Sequence, residues 1–304
     1  MTDTDPSSGR PAPVSRDLLI RAALLVQRGI VHLPWPVQKA IGKALGGVAY
    51  RIARRRRRIA RRNLELCFPE LDETDRETLL RDHFRSLGIG VMEIGMAWWA
   101  SDHRLKPMAR IEGLEHLQQS RGLRRPALLV AGHFTTMDLT CRLLGLAVEY
   151  DGIQRPFGLP GLDRQLSRGR RRAVGRLYSK FDLRAILDAL AENRTIWMAV
   201  DQAQTGSRPV IAPFFGLPAP TTGSPARLTA RSGARVLPVI GYREPDGRYR
   251  VRIEAPLEDF PSGDATADAA RLNRVIERHA RLVPDQYYWI HRRFKTDPSP
   301  YQDL

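Results

Sequence analysis

Polar and apolar positions change period along this chain, and the changes divide it. In SRDLLIRAALLVQRGIVHLPWPVQ, Asp17, Arg21 and Arg28 fall on one helical stripe, while Leu19, Ala22, Ala23, Val26 and Ile30 face elsewhere. The charges interrupt the run, leaving no stretch of about 18 uncharged apolar residues to span a bilayer. The pattern predicts an amphipathic helix in a membrane interface, with Trp35 just beyond it. A helix packed on the protein's own core is the alternative. A second, small-residue helix is expected to end near Gly46–Gly47. Another starts in LDETDRETLL, where Thr74 and Glu77 have capping-box spacing. Leu80, Phe84, Leu87, Val91 and Ile94 continue it to Trp98–Trp99 as a core stripe.

Beyond residue 125 the pattern alternates. PALLVAG (126–132), TIWMAV (195–200), ARVLPVIGY (234–242) and YRVRIEAPL (249–257) are short strand-like runs. Helices are expected from about Thr136, over DLRAILDALAEN (182–193), and from about Thr266 to Leu282. One more is punctuated by Ser224 as N-cap, Pro225 in its first turn and Gly233 as its stop. GLPGLDRQLSRGRRRAVGR (158–176) reads as a long irregular basic segment. Strands alternating with helices predict an α/β fold around a largely parallel sheet. The expected divisions are a disordered tail (1–13), amphipathic membrane-associating helices with an Arg-rich segment (14–62), and a catalytic domain (63–304).

Charge sharpens the reading. The 304 residues carry a net +16, which calls for an anionic partner: nucleic acid, an anionic membrane or an acidic protein. RIARRRRRIARR (51–62) holds eight arginines in twelve residues beside the apolar segment, which suits lipid phosphates. A solvated helix face is the plain alternative, though five consecutive arginines cover every side of a helix and repel one another. No helix-turn-helix, zinc finger or RNP-type aromatic pattern supports nucleic-acid binding. Only Cys67 and Cys141 occur, far apart, which argues against a disulfide framework or a zinc site. MTDTDPSSGRPAP lacks the features of a signal peptide.

Ligands of open α/β sheets bind beyond the carboxyl ends of the strands. PALLVAG runs into His133, and TIWMAV runs into Asp201–Gln202, which places both on one rim. His133 and Asp138 cannot share a face of one helix. They can meet if His133 lies in the loop before a helix and Asp138 in its first turn, where the helix dipole favours a carboxylate. A carboxylate on one ring nitrogen fixes the tautomer while the other nitrogen takes a proton. No serine or cysteine nucleophile stands nearby, so such a pair would activate a hydroxyl of the substrate. Taken alone the H-x4-D spacing is weak, and a turn that happens to hold both residues is the plainer reading.

The order of features resembles the late lipid A acyltransferases, the lauroyl/myristoyl transferase family of Gram-negative bacteria. The resemblance begins at RIARRNLELCFPEL (58–71) and runs through GHFTTMDL (132–139), QRPFGLPGLD (154–163) and RGRRR (168–172). It continues with AVDQ (199–202) and IAPFFGLPAPTTG (211–223), and ends with PDQYYWIHRRFKTDP (284–298). It implies a glycerolipid-acyltransferase-like fold, with a central mixed, largely parallel sheet flanked by helices. It also implies an enzyme at the cytoplasmic face of the bacterial inner membrane, held by a single-pass or interfacial N-terminal anchor. The implied reaction moves an acyl chain from acyl carrier protein to a hydroxyl of a 3-hydroxyacyl chain on Kdo2-lipid IVA or its partly acylated product. No metal or cofactor is implied, acyl carrier protein serving as co-substrate. The implied partners are that carrier, the anionic lipid A precursor and inner-membrane lipids.

His133 matches the family's histidine and Asp138 its acidic partner, where several members carry glutamate. Arg170 matches the arginine of the G-R block and is favoured for catalysis, at the oxyanion or the acceptor phosphate. Arg155 matches that of the R-P block. Asp201 matches the strand-end aspartate and is expected to hold an active-site arginine, or to serve as a cap or loop anchor. Thr221, Thr222 and Gly223 match a T-T-G turn whose backbone donors could bind phosphate or simply cap the helix. Arg292, Arg293 and Lys295 are expected to meet lipid phosphate or Kdo carboxylates, and His291 to be structural. Two other functions remain open: a sister acyltransferase acting on another lipid, such as a mannosylated phosphoinositide, and a basic binding protein without catalysis.

Overall fold

The computed structural model of the protein describes residues 14–156, 158, 160–202, 209–296 and 298–304; the tail expected over 1–13 lies outside them. Four helices come first: α1 (Val14–Ile30), α2 (Trp35–Ile52), α3 (Arg54–Cys67) and α4 (Glu73–Trp99). After the short α5 (Asp102–Leu105) come β1 (Ala109–Glu112), α6 (Leu114–Gly122), β2 (Ala127–Ala131), α7 (Met137–Gly145) and β3 (Asp151–Gln154). Then follow α8 (Pro160–Arg170), β4 (Leu177–Ser179), α9 (Leu183–Ala191), β5 (Thr195–Ala199), β6 (Val210–Phe214) and β7 (Leu217–Thr221). The chain closes with α10 (Ser224–Ser232), β8 (Arg235–Arg243), β9 (Tyr249–Ile253) and α11 (Ala265–Leu282).

Seven strands form one sheet in the order β1-β9-β8-β2-β5-β3-β4. Among the described residues only the β8–β9 pairing of this sheet is antiparallel, so the sheet is mixed and largely parallel as expected. β6 and β7 make a separate hairpin. The central strand β2 is buried throughout, and its alternation divides the core. Leu128 and Val130 pack with Ile59, Leu64, Phe84, Leu190 and Trp289. Ala127, Leu129 and Ala131 face the opposite layer with Met96, Leu139 and Leu143.

Several expectations change. Gly46–Gly47 do not end α2, which continues to Ile52. Gly42 and Gly46 instead let its backbone lie directly on α4: a Cβ at Gly46 would stand 2.1 Å from the Phe84 carbonyl, and one at Gly88 2.0 Å from the Gly42 carbonyl. The helix expected to open on a Thr74–Glu77 capping box is capped by Asp72, whose carboxylate accepts from the Asp75 amide. Glu77 is taken by Tyr50, Arg61 and Arg81. The basic segment 158–176 contains α8. Gly223 stands at the N-cap of α10, with Ser224 its first residue. α3 runs unbroken through residues 62 and 63 and buries Ile59, Ala60, Leu64 and Cys67. Among the described residues no helix is long and apolar enough to cross a membrane, so a single-pass anchor finds no support there.

The two neighbouring glycines of α2 separate packing from helix propensity. Gly46→Ala is expected to destabilise the fold by about 1–3 kcal/mol, because the new methyl meets backbone. Gly47→Ala meets nothing nearer than 4.0 Å and is expected to stabilise by about 0.5–1 kcal/mol. Denaturant unfolding of the two variants reads both signs.

Candidate active site

The site is built on the rim where β2 ends. The chain leaves β2 at Ala131, passes His133 and enters α7 at Met137. The C-terminal segment clamps this loop like an added strand. The Thr135 amide donates to the Gln286 carbonyl (2.8 Å), the Tyr288 amide donates to the His133 carbonyl (3.0 Å), and Phe134 bridges Tyr287. Gln286 is itself pinned: its side chain accepts from the Arg243 amide at 2.9 Å and donates to the Arg243 carbonyl at 3.0 Å. From behind, α4 presses so close that a Cβ at Gly90 would lie 2.7 Å from the Thr135 carbonyl.

The carboxylate that reaches the His133 ring is Asp201. Its Oδ1 pairs with Nδ1, and its Oδ2 accepts from the His133 amide at 2.9 Å. Burial alone would raise the Asp201 pKa. The His133 charge, the ring and amide hydrogen bonds and the Arg293 charge outweigh it and hold the carboxyl well below the usual range. Asp201 is 2% exposed and His133 27%, so the pair has a buried anchor and an open end.

This corrects the expected pairing of His133 with Asp138. His133 does lie in the loop and Asp138 in the first turn of α7, but Asp138 turns to Arg170. Arg170 donates Nε to Oδ1 at 3.0 Å and Nη2 to Oδ2 at 3.4 Å. The arginine expected on Asp201 is therefore held by Asp138, and Asp201 has the histidine. Nη1 of Arg170 is left free of that carboxylate. The physical reason is chain direction: β5 ends beside β2, which brings Asp201 against His133, while α8 brings Arg170 over the start of α7.

The remaining candidates separate by burial. Arg293 is 3% exposed, donates to the Pro220 carbonyl (2.5 Å), Thr221 Oγ1 (3.0 Å) and Asn273 Oδ1 (2.9 Å), and covers the Phe214 ring. It binds the hairpin and α11 together, which corrects its expected contact with lipid phosphate. Thr222 bonds Ser224 Oγ at 3.0 Å and Gly223 caps α10, so the T-T-G turn closes on itself. Arg292 donates to the Leu304 carbonyl at 3.2 Å and covers Tyr301. Arg155 is exposed. Burial, then Arg292 and Arg155, lower the Lys295 pKa; burial, then Arg155, lower that of Lys180. These cations thus share one field. Burial and then the Lys295 charge lower His291 to about 4, leaving it neutral beside a small cavity also lined by Asn63, Asp201 and Tyr287. Among the described residues no group of three or more His, Cys, Asp or Glu side chains is placed to hold a metal ion.

Comparison with known proteins fixes the family. The family model for bacterial lipid A biosynthesis acyltransferases matches residues 14–296. The chain belongs to the bacterial lipid A biosynthesis acyltransferase family. It is 38% identical over 279 residues to a lipid A biosynthesis acyltransferase of Haemophilus influenzae, covering 90% of this chain and 89% of that one. It is 37% identical over 272 residues to the lipid A biosynthesis lauroyltransferase of Escherichia coli, covering 89% of each. It is 36% identical over 270 residues to the palmitoleoyltransferase of the same organism, covering 88% of each. Two relatives named for different acyl chains stand at almost equal identity, so overall identity does not select the chain length.

The acyltransferase thus carries three site features that its linear motifs did not reveal: the Asp201–His133 pairing, Tyr287 facing Asp201, and Gln286 as the clamp on the loop. The block PDQYYWIHRRFKTDP marked the segment but not its partner, because the pairing spans some 150 residues of chain. Arg293→Met is expected to cost about 3 kcal/mol of folding stability, since it strands buried acceptors. A phosphate-contact role would instead raise KM in a protein of unchanged stability, so denaturant titration beside substrate saturation separates the two.

Proposed function

We propose that the protein transfers a fatty acyl chain from acyl carrier protein to a hydroxyl of a 3-hydroxyacyl chain on Kdo2-lipid IVA or its partly acylated product. The observation carrying this reading is a histidine at the rim of the central strand, held by a buried carboxylate, in a chain of the lipid A acyltransferase family. The Nδ1 pairing with Asp201 makes Nε2 the basic nitrogen. Nε2 takes the proton of the acceptor hydroxyl, and the oxygen attacks the thioester carbonyl. The tetrahedral oxyanion then collapses, the C–S bond breaks, and the imidazolium returns its proton to the departing carrier thiolate. The ester forms without a covalent acyl-enzyme.

Asp201 keeps the ring in one tautomer and stabilises the imidazolium. Arg170, aimed by Asp138, serves the oxyanion or the acceptor phosphate through Nη1. Arg155, Lys180 and Lys295 form the cationic side of the site and fit the phosphates of an anionic lipid. Part of the +16 serves the docking of an acidic carrier. The reaction then runs at the cytoplasmic face of the inner membrane, where an anionic lipid acceptor resides.

Purified protein with acyl-carrier thioesters of several chain lengths and Kdo2-lipid IVA is expected to yield product heavier by one acyl chain in mass spectrometry. No product from any donor would remove this acceptor. His133→Ala is expected to lose about 10²–10⁴-fold in turnover. Asp201→Asn and Asp138→Asn are each expected to lose on the order of 10²-fold, for different reasons. In double-mutant cycles, Asp201→Asn should add little to His133→Ala, and Asp138→Asn little to Arg170→Ala. Additive losses within either pair would contradict the assignment.

A further inference from the structure

The face that α4 turns toward the catalytic loop is polar. Val91, expected in its apolar stripe, is 45% exposed, whereas His83, Ser86, Gly90 and Glu93 are all buried. Their spacing of three, four and three residues puts them on one side of the helix. Gly90 is the residue that lies on the Thr135 carbonyl. The other three reach β8 and the C-terminal segment that clamps the loop.

Their contacts make one continuous relay. Glu93 Oε1 accepts from Arg243 Nη1 and from the Tyr249 hydroxyl (2.7 Å). Arg243 Nη2 donates to Ser86 Oγ (3.0 Å), and Ser86 Oγ donates to Asp285 Oδ2 (2.5 Å). His83 holds Asp285 by its backbone. Burial pushes the His83 ring down to about 4, so it is neutral, and its Nδ1 donates to the Asp285 carbonyl at 3.1 Å. Asp285 leads directly into Gln286, whose carbonyl takes the Thr135 amide and whose side chain brackets the Arg243 backbone. Arg243 is thus held twice, by its side chain on α4 and by its backbone on Gln286.

Stability alone is a weak reason for such an ion pair. The Arg243 and Glu93 side chains are 9% and 1% exposed, and taking two charges out of water offsets much of their attraction. Burial works against the Arg243 charge, and the Glu93 charge restores it. Glu93 Oε2 has no hydrogen-bond partner among the described residues, so the carboxylate is only half satisfied. What the pair supplies is direction, because the guanidinium fork fixes Glu93 and Ser86 relative to each other. The loop at the end of the relay carries His133, and about 1 Å of misplacement at a reacting group costs on the order of 10²-fold in rate.

We propose that Glu93 is a positioning residue for the base: through Arg243, Ser86 and Asp285 it fixes the segment that holds the His133 loop. It acts on the ring through the loop and takes no part in proton transfer. The effect on turnover rests on the acyl transfer proposed above; the effect on the loop does not.

Three full-length variants test this. E93M/R243M exchanges the ion pair for apolar side chains, E93Q keeps an acceptor and removes the charge, and S86A removes only the link to Asp285. Each is compared with wild type in denaturant unfolding, in kcat and KM for the carrier thioester, and in the ¹⁵N resonances of His133. E93M/R243M is expected to unfold near the wild-type midpoint. It is nonetheless expected to lose at least about tenfold in kcat with KM within about twofold, and to shift the His133 Nδ1 resonance. S86A is expected to lose about threefold in kcat and to add little to the loss in E93M/R243M. E93Q is expected to keep most of the wild-type kcat. Turnover of E93M/R243M within about twofold of wild type would overturn the proposal, as would a rise in KM at unchanged kcat. A loss of kcat with the His133 resonances unmoved would also overturn it, since the loop would then be in place. Should E93M/R243M prove unstable, S86A decides by the same readouts. Absence of turnover in the wild type would remove the proposed function, and the His133 resonances alone would then decide the positioning.

Discussion

A buried carboxylate must be paired, and Asp201 is held by the ring and the amide of one residue, His133, with the Tyr287 hydroxyl beside it. That double contact fixes the loop after β2 in both position and orientation. Burial works against the charge, and the histidine and Arg293 restore it, so the carboxylate remains ionised where water is excluded. The surrounding structure protects this arrangement. Val200 donates to the Ala131 carbonyl (2.9 Å), locking the ends of β5 and β2 together just before both residues emerge.

The loop needs more than its two strands. Its amide and carbonyl groups are met by the segment around Tyr287, and that segment is bonded to β8 through Gln286. The sequence-distant C-terminus thus behaves as a short added strand. Arg293, six residues beyond Tyr287, ties the same segment to the β6–β7 hairpin and to α11. A second ion pair, Asp138 with Arg170, sets the opposite wall. The base and the arginine therefore belong to two separately braced units, and a change in one need not misplace the other.

Much of the fold was legible because it followed local periodicity. β2, β5, β8, β9, α9 and α11 were readable from runs of one period with Gly, Asp or Asn at their ends. What escaped was decided by partners far along the chain. Gly46–Gly47 looked like a helix stop and proved to be a backbone contact with α4. The short strands β1, β3 and β4 carry only half-buried or mixed positions and have little pattern of their own. At the site, the residue types and their rim were readable, since His133 and Asp201 each end a strand. Which carboxylate serves which base was not, because H-x4-D spacing suggests the near aspartate, while strand order delivers the far one. Arg293 carried the same ambiguity: in sequence it is one of a run of cations, and only burial separates it from Arg292 and Lys295.

The most direct test of the Asp201–His133 pairing is ¹⁵N NMR of the protein labelled at histidine, comparing wild type with Asp201→Asn and Asp138→Asn. The pairing predicts that neutral His133 carries its proton on Nδ1, that Asp201→Asn shifts the Nδ1 resonance, and that Asp138→Asn leaves it in place. A His133 signal moved by Asp138→Asn and untouched by Asp201→Asn would contradict the account and return the histidine to its near aspartate.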